Sequence, residues 1–233
     1  MIRSILLGCF LASNWLHAID ARSQEPAAVA AAAPAEHAQR YERLLVRNVL
    51  ILEGNGTPLR GPLDIVIEKD RIASIGSVGK DEHFDAVIEG EGRVAMPGLI
   101  NLHGHLHHER AGLEMPYQYQ LDLWLAAGIT TVRDLGSDRE RALVAREASA
   151  TGAVASPRLF LYMWTGAETA GEAREKVREI VALRGDGIKI TGMDREPLVA
   201  LLDEAHGQGL RVAHHIGVEE TDAWDDIAGG TTT

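Results

Sequence analysis

The chain has 233 residues, 45% of them hydrophobic and 24% charged, with a formal net charge of −11 and a single cysteine. That composition suits a globular protein with one sizeable core, or one domain and a smaller companion. The acidity is dispersed rather than gathered in runs, so it serves solubility and argues against nucleic acid as a partner.

The first segment reads as an export signal. Met1-Ile2-Arg3 carries a positive charge, residues 4–16 are mostly apolar, and Ala18 and Ala21 offer cleavage points, which gives a signal peptide over residues 1–21. The apolar stretch is too short to span a bilayer, so no stable membrane anchor is expected after cleavage, and the protein is expected in the periplasm or secreted. Cys9 would leave with the signal, so the mature chain would hold no thiol and no disulfide. Residues 22–40 follow as an alanine- and proline-rich linker.

Short β signals fill residues 41–95, which are expected to form a small β-sandwich-like domain. Leu44-Leu45-Val46 and Val49-Leu50-Ile51 come first, followed by turn chemistry at Gly54-Asn55-Gly56. Residues 64–68 and 71–75 then alternate on either side of Lys69-Asp70, a hairpin pattern, and Val87-Ile88 adds another strand.

From residue 96 the pattern alternates strand and helix. Strand cores fall near 99–103, 129–133, 158–162, 187–190 and 210–214, at the spacing of one βα unit. Ser137 with Glu140 and Thr169 with Glu172 have the spacing of capping boxes. Ala173, Val177, Ile180 and Val181 form one apolar helical stripe. Leu198, Leu201, Leu202 and Ala205 form another, ended by Gly207 and Gly209. Regular βα repetition implies a parallel sheet, open or closed. Residues 96–233 hold about five complete strands of this kind, a sixth is expected to begin at Gly230, and the sequence is expected to be a piece of a longer one.

The most informative run is Asn101-Leu102-His103-Gly104-His105. On a strand, residues i and i+2 point to one side, so His103 and His105 aim two imidazoles at one spot, a pair able to chelate a divalent metal. The run Pro97-Gly98-Leu99-Ile100-Asn101-Leu102-His103-Gly104-His105 resembles the first-strand signature of the amidohydrolase superfamily of metal-dependent hydrolases. Gly128-Ile129-Thr130-Thr131-Val132-Arg133-Asp134 resembles its second strand, and Gly187-Ile188-Lys189-Ile190 a later one. The resemblance covers about residues 43–230 and is nearest to the imidazolonepropionase-like and prolidase-like groups.

The resemblance implies a (β/α)8 TIM-barrel type, of which residues 96–233 would supply about five of the eight strands, with its active site at the C-terminal strand ends. It implies two divalent metal ions, zinc by default, held by His103, His105, Lys189 and one histidine of strand five. Lys189 would be the catalytic bridge, its amine carboxylated to a carbamate. On strand five the family pattern favours His215 and makes His214 a core or helix-facing residue, with the reverse assignment open. Arg133 is a candidate substrate-binding residue, His107 and His108 candidate loop contacts, and Tyr162 and Trp164 candidate pocket walls. A strand-six histidine and a strand-eight aspartate of the family site are absent from these 233 residues.

The activity implied is hydrolysis of the amide bond of a small-molecule dipeptide or N-acyl amino acid. A mononuclear deaminase or cyclic-amidine hydrolase would carry a glutamate three residues after the strand-five histidine, where this chain has Val218, or Gly217 if His214 is the ligand. A third expectation is a truncated barrel without catalysis.

Overall fold

The computed structural model describes residues 40–217 and 220–232. The expected signal peptide over 1–21, Cys9 and all but the last residue of the expected linker lie outside the described residues.

The first sheet is built from β1 (Arg43–Ile51), β2 (Arg60–Glu68), β3 (Arg71–Gly76), β4 (Ala86–Glu89) and β5 (Val94–Ala95), in the order β3-β2-β1-β4, with β5 also pairing β1. The two strands expected at 44–46 and 49–51 are one strand. Its register against β2 shifts between Val46 and Val49, and Asn48 at the shift takes φ 56° while its N–H donates to Asp64 Oδ1 at 2.9 Å. A bulge therefore keeps the chain in the sheet where the sequence suggests a break, because Asn tolerates the left-handed region and an aspartate satisfies its backbone. Val49, Ile51 and Ile65 form the core of this layer.

The chain then enters β6 (Leu99–Gly104), a short hairpin of β7 (Glu109–Arg110) and β8 (Leu113–Glu114), and a strict alternation: α1 (Tyr117–Ala126), β9 (Ile129–Leu135), α2 (Arg139–Thr151), β10 (Arg158–Trp164), α3 (Ala170–Ala182), β11 (Gly187–Ile190), α4 (Arg195–Gly207), β12 (Arg211–His214) and α5 (Ala223–Gly229). Strands β6, β9, β10, β11 and β12 form one parallel sheet in chain order. Sequential parallel strands joined by helical crossovers are five consecutive units of an incomplete (β/α)8 barrel. Among the described residues no helix is long and apolar enough to cross a membrane.

Alternation along the strands separates two faces. Met163, Ile188, Ile190 and Val212 pack into one cluster with Ala173, Val177 and Ile180 of α3 and Leu198, Leu201, Leu202 and Ala205 of α4. Each fully buried aliphatic side chain there contributes about 1.5–3 kcal/mol of transfer free energy. Val181 lies off the expected stripe and is 36% exposed, since one residue beyond Ile180 turns about 100° around the helix.

The caps refine the helix starts. Thr169 accepts from Glu172 N at 3.2 Å as expected, but the Glu172 carboxylate accepts from Glu168 N, so only half the box forms. At α2 the cap is Asp138, whose carboxylate accepts from Arg141 N at 2.9 Å, and not Ser137. Ser137 is drawn into the site instead. Among the described residues a complete capping box forms at α5, where Asp222 and Asp225 reciprocate.

Candidate active site

His103 and His105 stand at the end of β6, where the register against β9 shifts between Asn101 and Gly104. Asn101 Oδ1 accepts from His103 N at 3.0 Å and braces the irregularity. Gly104 turns to the helix side: a Cβ there would lie 2.5 Å from Val132 Cγ1 and near Trp124. Only glycine fits, and its two neighbours are thereby sent to the opposite face. The His103 and His105 rings are 5.3 Å apart, edge to face, and His107 stacks on His105 at 5.7 Å. Burial lowers the proton affinity of His105, helped by the nearby His103, His107 and Lys189. The neutral imidazole favoured there is the metal-binding form.

Two clamps hold this loop, and the sequence reading missed both. Leu106 N donates to Ser137 Oγ at 2.7 Å, and Ser137 Oγ donates to Asp134 Oδ1 at 2.5 Å. Asp134 is 2% exposed, and burial pushes its carboxyl up to about 6 against the two hydrogen bonds that lower it. On the other side, the buried Gln120 of α1 accepts from His107 N at 3.0 Å and donates back to His107 O. The available signals were the three-residue spacing of Asp134 and Ser137 and a glutamine inside an otherwise buried helix face.

Arg133 and Asp134, adjacent on β9, fall on opposite faces. Arg133 Nε donates to Leu102 O at 2.7 Å, and its guanidinium lies 5.1 Å from the centre of the Tyr162 ring. Lys189 pairs in register with Trp164 on one side and Ala213 on the other. Its neighbours Ile188 and Ile190 face the helices, so Lys189 faces the site, where it is 6% exposed. Its proton affinity is lowered, first by burial and then by the Arg133 charge.

The same parity sorts the histidines of β12. His214 pairs with Ile190, shares its helix-facing side, and is fully buried with Nδ1 2.8 Å from Asp226 Oδ1 of α5. His215, the first residue past the strand, donates its N–H to Ile190 O at 2.9 Å, and strand alternation carried one residue further would turn it to the face of Ala213 and Lys189. Its side chain is exposed. The structure thus brings together His103, His105, His107 and Lys189, while His215 makes no ring contact with them among the described residues. Among the described residues no three His, Cys, Asp or Glu side chains are gathered tightly enough to hold a metal ion.

The remaining candidates divide. Tyr162 is 7% exposed beneath Arg133, whereas Trp164 is largely exposed and donates from Nε1 to Thr191 Oγ1. His108 is exposed, its carbonyl accepting from Met115 N at 2.7 Å across the β7–β8 hairpin. In donor chemistry the group brought together offers the imidazoles of His103, His105 and His107 and one amine that burial biases towards its neutral form, ligand types that a divalent metal accepts.

No family model matches the chain. Among curated proteins it is similar to a 5-methylthioadenosine/S-adenosylhomocysteine deaminase of Thermoanaerobacter pseudethanolicus, 37% identical over 94 residues, which are 38% of this chain and 21% of that protein. A protein of the same description from Caldanaerobacter subterraneus is 41% identical over 63 residues, 27% of this chain and 14% of the relative. A 5'-deoxyadenosine deaminase of Methanocaldococcus jannaschii is 41% identical over 64 residues, again 27% and 14%. The chain therefore spans a minor part of the curated relatives it matches. Among solved structures, a Xaa-Pro dipeptidase with bound methionine superposes at a TM-score of 0.64 with 20% identity, over 81% of this chain and 65% of the other. A prolidase-like protein of Bifidobacterium longum superposes at 0.61 with 24% identity, over 76% and 50%. The solved likenesses bear on fold alone, and a structure described as an amidohydrolase has the same arrangement over 74% of this chain and 55% of its own, at a TM-score of 0.61. Over part of its length the chain is thus similar in sequence to these deaminases, and in fold to these prolidase and amidohydrolase structures.

Proposed function

We propose that the protein containing this chain is a metal-dependent hydrolase of amide bonds, acting on a dipeptide or an N-acyl amino acid through a pair of divalent ions, zinc by default. The observation that carries the reading is Lys189, a buried amine facing the site from the fourth strand of the parallel sheet. A lysine among isoleucines costs desolvation, and a structural role is better filled by an apolar residue. His103, His105, His215 and a carboxylated Lys189 would hold the ions. Carboxylation joins Nζ of the neutral amine to carbon dioxide and releases one proton, leaving a carbamate anion. The lowered proton affinity of Lys189 favours that amine. When bound, the ions lower the pKa of water and polarise the scissile carbonyl. Arg133, held over Tyr162 beside Lys189, would receive the carboxylate of such a substrate by a charge-assisted hydrogen bond. Export through residues 1–21 is part of the same proposal, on the charged, apolar and small-residue order of that segment.

A second reading, a mononuclear deaminase, is favoured by the 37% identity to a curated deaminase over 94 residues. Against it stand the use it would leave unexplained for Lys189 and the valine at position 218, where the expected glutamate would be. Metal per chain, measured by elemental analysis on protein purified with bicarbonate, separates the two. Two ions per chain, falling to one or none in Lys189→Ala, is the expected outcome. One ion per chain, unchanged in that variant, would overturn the binuclear reading in favour of the deaminase.

A further inference from the structure

His214 and Asp226 form a buried pair that the site itself does not use. The His214 side chain is fully buried and that of Asp226 is 9% exposed, with Nδ1 and Oδ1 2.8 Å apart. A carboxylate at that distance accepts, which places a proton on Nδ1. The other ring nitrogen, Nε2, is also buried and has no hydrogen-bond partner among the described residues. A buried unsatisfied nitrogen costs stability, and two apolar side chains would fill the same space without it. The pair is therefore a poor way to gain stability and a good way to fix one arrangement.

What it fixes is visible in the neighbouring contacts. On a strand, a slip of one residue exchanges the two faces. His214 is the last residue of β12, and the next residue, His215, is held to β11 by one hydrogen bond, its N–H to Ile190 O. Beyond it the chain must turn back to α5. That helix is itself pinned: Thr221 Oγ1 donates to Met193 O at 2.9 Å, Arg195 pairs with Asp225 at 2.7 Å, and Asp222 caps its first turn. Asp226 thus offers a fixed acceptor, and His214 reaches it only when residue 214 faces the helices. Exchanging the faces would bury His215 and aim His214 into the site.

We infer that His214 and Asp226 are positioning residues, a polar latch between strand β12 and helix α5 that commits His215 to the site face. The inference rests on the proposed ligand role of His215, but it has a readout that does not. In the metal-free full chain, hydrogen exchange of the His215 amide reports the end of β12 directly. Replacing both members, His214→Leu with Asp226→Leu, removes the latch without stranding a charge. Exchange at His215 is expected to rise at least 10-fold while the thermal midpoint moves little. Affinity for Zn2+, read by competition with a chromophoric chelator, is expected to fall about 10- to 100-fold, the range found when groups that orient ligands are lost. His214→Gln, which keeps an N–H for Asp226, is expected to restore both within about threefold. Asp226→Asn serves as the milder variant should the double one not fold, with the same direction at His215.

Unchanged exchange at His215 in the latch variants would overturn the inference and make the pair mere packing. A loss of Zn2+ in His214→Gln as deep as in His215→Ala would also overturn it, by making His214 a ligand. If the unaltered chain binds no Zn2+, the ligand reading fails by itself, and the exchange measurement still decides the latch.

Discussion

The two faces of the parallel sheet are made from the same strands and obey different rules. On β11, Ile188 and Ile190 are wholly buried against α3 and α4, while Lys189 between them is buried against polar and aromatic neighbours. The helix face is optimised for packing, with Met163, Val212, Leu198 and Leu201 completing a continuous apolar layer. The site face carries Arg133, Lys189 and His105, groups whose burial costs stability unless something uses their charge or lone pairs, with His103 exposed beside them. The contrast teaches that a residue out of keeping with its strand is informative only once the strand's parity is known.

The largest effect expected from this contrast is on the helix face. Ile190→Ala removes a fully buried side chain from the largest cluster and leaves a cavity between β11 and α4. Unfolding by denaturant should show a loss of about 2–5 kcal/mol with little change in slope. A loss below about 1 kcal/mol would mean that the cluster collapses into the space, and that the helix face is less tightly packed than its burial indicates.

Next in size is Asp134, which crosses the contrast: a carboxyl on the helix side that serves the site loop. Its folded-state pKa of about 6 lies above its ordinary value of 3.8, with burial the main cause. The folded protein therefore holds this proton more tightly than the unfolded chain, and stability falls as pH rises from about 4 to about 6. Relative to Asp134→Asn, the wild type should lose about 2–3 kcal/mol across that interval. Parallel stability curves for the two proteins would remove the shift. The same substitution should also loosen the 105–107 loop, since Ser137 loses its carboxylate acceptor and Leu106 N depends on Ser137.

How much of this was legible in the sequence follows from the same division. The five parallel strands fell where their apolar cores and spacing put them, because burial on both sides of a βα unit leaves continuous hydrophobic runs. His103, His105 and Lys189 stood out because polar residues interrupted those runs. The bulge at Asn48 was illegible, because it depends on Asp64 across the strand pair, sixteen residues away. Ser137 read as a cap because its spacing to Glu140 was right, yet the partners that claimed it, Asp134 and Leu106, meet it only in the folded loop. Gln120, likewise, takes meaning from a backbone thirteen residues earlier. The strand-five pair was ambiguous from sequence, because the feature that separates the two is spatial: the register of β12 on β11 pairs His214 with Ile190 on the helix side.

The smallest effect tests the site face itself. Lys189→Met keeps the length of the side chain and removes the amine, so in metal-free, bicarbonate-free protein it should raise stability by about 1 kcal/mol, the low end of the cost of burying an uncompensated polar group. The sign follows from linkage. Lys189 has a folded pKa lowered from 10.5, so the unfolded chain binds its proton more readily, and the wild type is penalised at every pH below the lowered value. As pH rises from there through 10.5 the penalty disappears, and the advantage of the methionine variant should shrink with it. Adding metal and bicarbonate should reverse the order, because only the lysine can then take up carbon dioxide. A methionine variant less stable than the wild type in the metal-free protein would mean that the amine is already satisfied within the fold. Lys189 would then belong, with Ile188 and Ile190, to the packing of its strand.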